Sequence, residues 1–509
     1  MSRSPQLATC NLQLATRTFL LITLLSSLFL ASCAAPTQVT PSPTSYVTLS
    51  PTPLTSPAPP PSPTPSPTPI PLARPQYTLN LLIDYTRKAA TVEETILYPN
   101  LSGESLPNLM LAVEPNLWMG GFSLQDLAVD DIPISTYNLE GQRLEIPLSQ
   151  PLEPGSIVKL SLNFSLILPQ MPAYSDPNDV RPQIYGYTSR QVNLVDWYPF
   201  VVPYIPGTGW VLHNPWFYGE HLVYDSADFD ILVHFGDASE PKIAASGVEL
   251  PSGDGRHFRL ENGRTFALSF SNLYEVKSEV IDGVTVYSYY FPFYAPAGEA
   301  VLHTTGQALE IYAEHFGPYP YATLTAVQGD FNDGMEFSGF YFLSRDFYNL
   351  YDGTPKNHLT IVAVHETAHQ WWFDLVANDQ ALEPWLDEAL ATYSEHVFYE
   401  QFYPDLIDWW WSSWSYRVNF YQPAGYLDIG IYDAGGYIPY LNTVYLNGAH
   451  FLEDLRQRIG DEAFFAFLKD YAAQYALRRA TTVDFFALLR QHTSVDYSDI
   501  IGKYFKDLH

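Results

Sequence analysis

Cysteine is nearly absent: the 509-residue chain has two, Cys10 and Cys33, both near its start. Everything after Cys33 therefore lacks disulfides and thiolate ligands, and any metal there must be held by histidine and carboxylate. Basic residues are also scarce, with 25 Lys and Arg against 55 Asp and Glu, for a formal charge of −30. A field of that sign repels nucleic acid and anionic lipid headgroups and favours cationic ligands. The apolar run Phe19 to Ala31 falls short of the ~20 residues that cross a bilayer. Aromatics, by contrast, are plentiful, with 37 Tyr, 30 Phe and 11 Trp. They point to a large aromatic core with extensive β-structure, and leave room for exposed peptide- or glycan-binding platforms.

The start of the chain reads as an address. A polar, basic lead with Arg3 and Arg17 precedes the apolar run, which ends in Leu30-Ala31-Ser32-Cys33. The arrangement is similar to a bacterial lipobox, in which residues 1–32 form a signal peptide and Cys33 becomes the lipidated N-terminus. The alternative is an ordinary secretory signal with a chance cysteine. Residues 33–75 are dominated by Pro, Ser, Thr and Ala, a composition that buries no core and favours an extended, solvated stalk. From residue 76 to about 275, short runs such as YTLNLLIDY, SIVKLSLNFSL and DFDILVHF, separated by Gly, Pro, Asn and Asp, predict an antiparallel β domain. From 276 to 509 the period lengthens, and four stretches read as helical, among them HLTIVAVHETAHQWWFDLV and DEALATYSEHVFYEQF. The fold class expected is multidomain α+β: a β domain followed by a mostly helical one.

The chemistry concentrates in HETAHQWWFDLVANDQALEPWLDEALATYSE, residues 365–395. On a helix, His365 and His369 share one face a turn apart and can both reach one metal ion. Glu366 lies about 100° round from His365, placed beside such a metal as a general base rather than a ligand. Glu388 follows His369 after eighteen intervening residues, past the break at Pro384, and Glu395 lies two turns further on the same face. Glu388 supplies a third ligand, and Glu395 is placed to orient a ligating histidine. The competing reading is two helices with solvated polar faces. It fits poorly, because Val362, Val364, Trp371 and Trp372 make the surroundings apolar.

On these residues the chain resembles the aminopeptidase-N-like zinc metallopeptidases, gluzincins with the pattern His-Glu-x-x-His, eighteen residues, Glu. EHFGPYPY (Glu314 to Tyr321), GMEFSG (Gly334 to Gly339) and VYLNGAHFLEDL are similar to further family segments, as are NLVDWYPFVVPY and GEHLVYDSADFDILV upstream. The resemblance implies a thermolysin-like catalytic domain and one zinc ion per chain, held by His365, His369 and Glu388, with Glu366 as base and Glu395 behind the ligands. It implies Glu336, with Gly334 and Met335 in the same loop, as the anchor for a substrate's free amine, and Tyr445 as the phenol facing the oxyanion. Gln191 is considered as a second amine contact without being assigned. Two positions depart from the family: Phe337 stands where many members have Asn after the Glu, and Asn447 where they have Lys after the Tyr. The chain also runs only a short way past this region, so an open cleft is expected.

The implied function is an extracytoplasmic aminopeptidase of the bacterial cell envelope. It is expected to act on peptides with a free N-terminus, to be held at the membrane through Cys33, and to have no nucleic-acid partner. The rivals are an endopeptidase or epoxide hydrolase of the same fold, and a non-catalytic lipoprotein that binds peptides or glycans.

Overall fold

Alternation of apolar and polar residues builds the first half. The computed structural model describes residues 73–507, apart from 173–178, 182, 333 and 413–424. Cys33, the signal and nearly all of the proposed stalk lie outside the described residues. In the strand Gln76–Asp84 the inward side chains Tyr77, Leu79, Leu81 and Ile83 are buried and their neighbours face outward. This strand sits inside an eight-stranded sheet, between Ala89–Pro99 and Ala227–Phe235. The sheet is antiparallel except at one place, where Gln76–Asp84 pairs in parallel with Ala227–Phe235. The two strands are far apart in sequence, so no tight turn forces them to run antiparallel. Two four-stranded sheets and a two-stranded one, Tyr204–Ile205 with Gly209–Trp210, complete this half.

The second half is helical around a five-stranded sheet. Its strands run in the order Glu275–Ile281, Val284–Tyr290, Thr323–Gln328, Phe340–Leu343 and Met335–Phe337. The last is an edge strand, antiparallel to Phe340–Leu343. The helices are α1 (Ala295–Phe316), α2 (Arg345–Leu350), α3 (His358–Ala368), α4 (Trp385–Phe402), α5 (Ile407–Ser412), α6 (Tyr437–Leu441), α7 (Gly448–Ile459), α8 (Asp461–Gln474), α9 (Thr482–His492) and α10 (Ser498–Tyr504). None of the described helices is long and apolar enough to cross a membrane.

Two of these helices matter most for the site. Helix α3 starts at Asn357, whose side chain accepts from the Thr360 amide, and stops at Ala368 with His369 as its cap. The sequence pattern predicts a longer helix, through Val376. Adjacent tryptophans point about 100° apart on a helix, and here the chain turns so that Trp371 and Trp372 are both fully buried. Phe373 takes a positive φ of 131° in that turn. Helix α4 is buried on all sides from Trp385 to Tyr399 and runs through the middle of the helical core. The described residues belong to one compact unit, and the two halves interlock: Phe337, Phe340 and Phe342 of the five-stranded sheet pack into the core of the β half.

Candidate metal centre and cleft

Helices α3 and α4 bring His365, His369 and Glu388 together. Nε2 of His369 lies 3.1 Å from Nε2 of His365. Oε2 of Glu388 lies 3.2 Å from His365 Nε2 and 3.5 Å from His369 Nε2. Donors bound at ~2.0–2.1 Å in a tetrahedron stand roughly 3.3 Å apart, so the three atoms already have the spacing of a zinc ligand set. The outer nitrogens are both engaged: His365 Nδ1 is 2.9 Å from Glu395 Oε1, and His369 Nδ1 is 2.9 Å from the Trp372 carbonyl. That leaves both Nε2 atoms turned inward with free lone pairs. Glu395 is held in turn by the Trp410 indole, at 3.0 Å. The donor set of two imidazoles and a carboxylate fits zinc.

The remaining carboxylates crowd round this centre. Glu366 and Glu336 each bring a carboxylate oxygen that, with a His369 nitrogen, forms a second group within 4.8 Å of one another. Oε2 of Glu366 is buried without a hydrogen-bond partner. Burial, and then the neighbouring Glu336, push the Glu366 carboxyl up to about 8. Burial also raises Glu336, against the pull of His369. Burial would raise Glu388 too, yet His369 and His365 hold it well below its ordinary range. Such an excess of buried negative charge calls for a cation.

Glu336 lies on the edge strand, 4% exposed, with Oε1 accepting from Gln380 Nε2 at 3.3 Å. Gly334 packs so closely that a Cβ there would come within 2.8 Å of Glu366 Oε1. Met335 is half-buried against the β core. Phe337 points to the opposite face from Glu336 and is buried among Phe340 and Phe342, so its ring stays out of the cleft. The strand is fixed to the histidine turn by Gln370, whose oxygen accepts from the Gly339 amide at 2.9 Å. Its nitrogen donates to the Phe337 carbonyl at 3.1 Å.

Tyr445 lies in a π-helical turn, Asn442–Asn447, between α6 and α7. Such turns re-aim side chains at functional sites. Its ring stacks on His365, with centroids 6.0 Å apart and planes at 7°. Its hydroxyl bonds Glu388, and burial raises the phenol well above its ordinary value. Asn447 is buried at the end of the turn. Gln191 is committed elsewhere: it donates to the Gln328 carbonyl at 3.0 Å and accepts from the Asp330 amide at 2.8 Å.

Sequence reasoning missed three participants. Asp387 precedes Glu388 and accepts from Asn378 at 3.0 Å and from Gln380 at 2.8 Å. Gln380 thereby links Asp387 to Glu336. Glu220 comes from the β half and lies near enough to Glu388, Glu336, Asp387 and His369 to feel their charges. Asp387 could have been suspected beside a ligand. Nothing local marks Glu220 beyond an acid at the end of the aromatic run Trp216 to Tyr218.

Comparison with known proteins agrees with this geometry. Residues 300–428 match the Peptidase family M1 domain. Aminopeptidase M1-D of Oryza sativa subsp. japonica is 29% identical over 212 residues, 38% of this chain and 24% of that protein. Aminopeptidase N of Lactobacillus helveticus is 26% identical over 256 residues, 47% of this chain and 30% of that protein. The chain thus spans roughly a quarter of the length of these curated relatives. A crystal structure of an M1 zinc metallopeptidase from Deinococcus radiodurans shares the fold, with a TM-score of 0.62, 19% identity, and coverage of 86% of this chain and 94% of that one. A mutant of that protein bound to a Tyr-Ser-Ala substrate also has a TM-score of 0.62, with 18% identity. In its M1-domain match over residues 300–428, its fold and its histidine–glutamate centre, the chain is similar to the aminopeptidase-N-like gluzincins.

Proposed function

We propose that the protein is a zinc aminopeptidase that removes N-terminal residues from peptides. The observation that carries the reading is the cluster of His365, His369 and Glu388 beside two further buried carboxylates, Glu366 and Glu336. Bound there, zinc supplies Lewis acidity, polarising a carbonyl and acidifying water. His365, His369 and Glu388 are the residues that would hold it.

Glu366 takes the proton of the attacking water on its carboxylate and returns it to the leaving amine. A carboxyl pushed up to about 8 by burial and by Glu336 is a stronger base than an ordinary glutamate, which suits that role. Tyr445 keeps its proton because burial raises the phenol, so it donates to the oxyanion that develops on the scissile carbonyl. Glu336 pairs with the substrate's ammonium and sets the register at the first peptide bond. Met335–Phe337 is the edge strand of its sheet, alongside which an extended peptide adds as a further strand.

The test compares free and N-acetylated peptides of one sequence. Free peptides should be shortened one residue at a time and acetylated ones should resist. Glu336→Ala should narrow the gap by slowing the free peptides, with zinc content unchanged. Internal cleavage of acetylated peptides at comparable rates would replace the aminopeptidase reading with the endopeptidase one.

Location is a separate proposal, supported by the sequence pattern ending at Cys33. We place the enzyme in the bacterial cell envelope, lipid-anchored and facing outside the cytoplasm. Cys33→Ala should leave the membrane fraction or stall in processing. A variant that fractionates and migrates like wild type would show the anchor to be wrong.

A further inference from the structure

Most carboxylates round the centre have partners. Glu336 and Asp387 accept from Gln380, Asp387 also from Asn378, and Glu388 faces both histidines. Buried carboxylate oxygens without a donor occur at two of its residues, Glu366 and Glu220. Glu366 has the role of base. Glu220 has no role in the chemistry above.

Its position is built rather than accidental. Gly219, just before it, takes a positive φ of 70°, and a Cβ there would meet Ile431 Cγ2 at 2.7 Å and the Tyr440 hydroxyl at 3.0 Å. The backbone is thus pressed against the wall that carries Tyr440, whose ring meets Tyr445 edge-on at 5.8 Å. From there Glu220 lies close enough to Glu388, Glu336, Asp387 and His369 for their charges to act on it. Tyr218 and Tyr440, with centroids 5.2 Å apart, lie alongside.

We propose that Glu220 is a specificity-determining residue that pairs with a cationic side chain on the first residue of the substrate, so that peptides beginning with Arg or Lys are preferred. The proposal rests on the aminopeptidase reading. In that reading the ligand set takes up Glu388, and the substrate's ammonium takes up Glu336. A neutral first side chain then leaves the buried Oε2 of Glu220 without a donor, which is unfavourable in a dry cleft. A guanidinium or ammonium on a long alkyl stem supplies both charge and donors. The neighbouring tyrosine faces suit such a cation as well. The chain's net charge of −30 favours the approach of basic peptides in the same sense.

The experiment measures kcat/KM for the free-amine 4-nitroanilides of Arg, Lys, Leu and Ala, with zinc content determined for each sample. Wild type should favour Arg and Lys over Leu by tenfold or more, and Glu220→Gln should lower the Arg-to-Leu ratio at least tenfold. A ratio is independent of the fraction of enzyme correctly folded. An equal loss on all four substrates would overturn the proposal while leaving the aminopeptidase reading intact. Zinc-loaded wild type that cleaves none of the four would end both. As a second measurement on wild type alone, free L-arginine should inhibit at lower concentration than L-leucine; the reverse order would overturn the proposal.

Discussion

Nδ1 of His365 lies 2.9 Å from Oε1 of Glu395, and the other oxygen of that carboxylate accepts from the Trp410 indole at 3.0 Å. The contact fixes the ring and its tautomer, keeping Nε2 free for a metal. Loss of such a partner typically weakens metal affinity about 10- to 100-fold. Glu395→Ala should therefore lose zinc to a chelator at a correspondingly lower concentration. A variant that holds zinc as tightly as wild type would show the contact to be dispensable.

Base and ligand should separate under mutation. Glu366→Gln should retain about one zinc per chain and lose on the order of 10²- to 10⁴-fold in turnover, the usual worth of a positioned base. Glu388→Ala removes a ligand and should lower zinc content itself. Metal analysis beside steady-state kinetics distinguishes the two, and near-normal turnover in Glu366→Gln would remove it as the base.

Gln370 makes a different kind of contribution, since it joins the edge strand to the histidine turn. Gln370→Ala leaves the Phe337 carbonyl and the Gly339 amide without partners in a buried place, costing about 1–3 kcal/mol. Thermal melting should fall accordingly. KM for free peptides should rise, because Glu336 is carried on that strand. Gln370→Glu keeps the acceptor for Gly339 but, when ionised, cannot donate to the Phe337 carbonyl, so it should not restore either property to the wild-type value.

Asp196 should make stability depend on pH. It sits at a positive φ of 46° and accepts from the Tyr224 hydroxyl at 2.8 Å. Burial, and then Glu114, push its carboxyl up to about 7. The folded state thus holds a proton that the unfolded state releases near pH 4, so stability is full below that pH and declines up to about pH 7. Asp196→Asn suits the backbone and should add on the order of 1–2 kcal/mol at pH 8 while adding little at pH 4. Equal shifts in melting temperature at both pH values would refute the assignment.

Local chemistry was readable in the sequence, and tertiary proximity was not. His365 and His369 announce themselves because helical spacing puts them on one face. Glu388 is recognisable because Pro384 starts a new helix just before it. The β half is legible from alternation, as in Gln76–Asp84. Thr323–Gln328 is buried at every position, so it carries no period to read. The end of α3 at Ala368 depends on burying two adjacent tryptophans, a requirement of the core and not of the helix. Glu220 reaches the cleft only because the β half folds against α4, which no local pattern encodes.

The parallel pairing of Gln76–Asp84 with Ala227–Phe235 has a consequence for how the chain folds. The partners lie about 150 residues apart, and contacts of such range must close a long loop before they repay it. Until then the first strand presents one unpaired edge, beside inward-facing Leu79, Leu81 and Ile83. An edge of that kind is open to pairing with another chain until its own partner arrives.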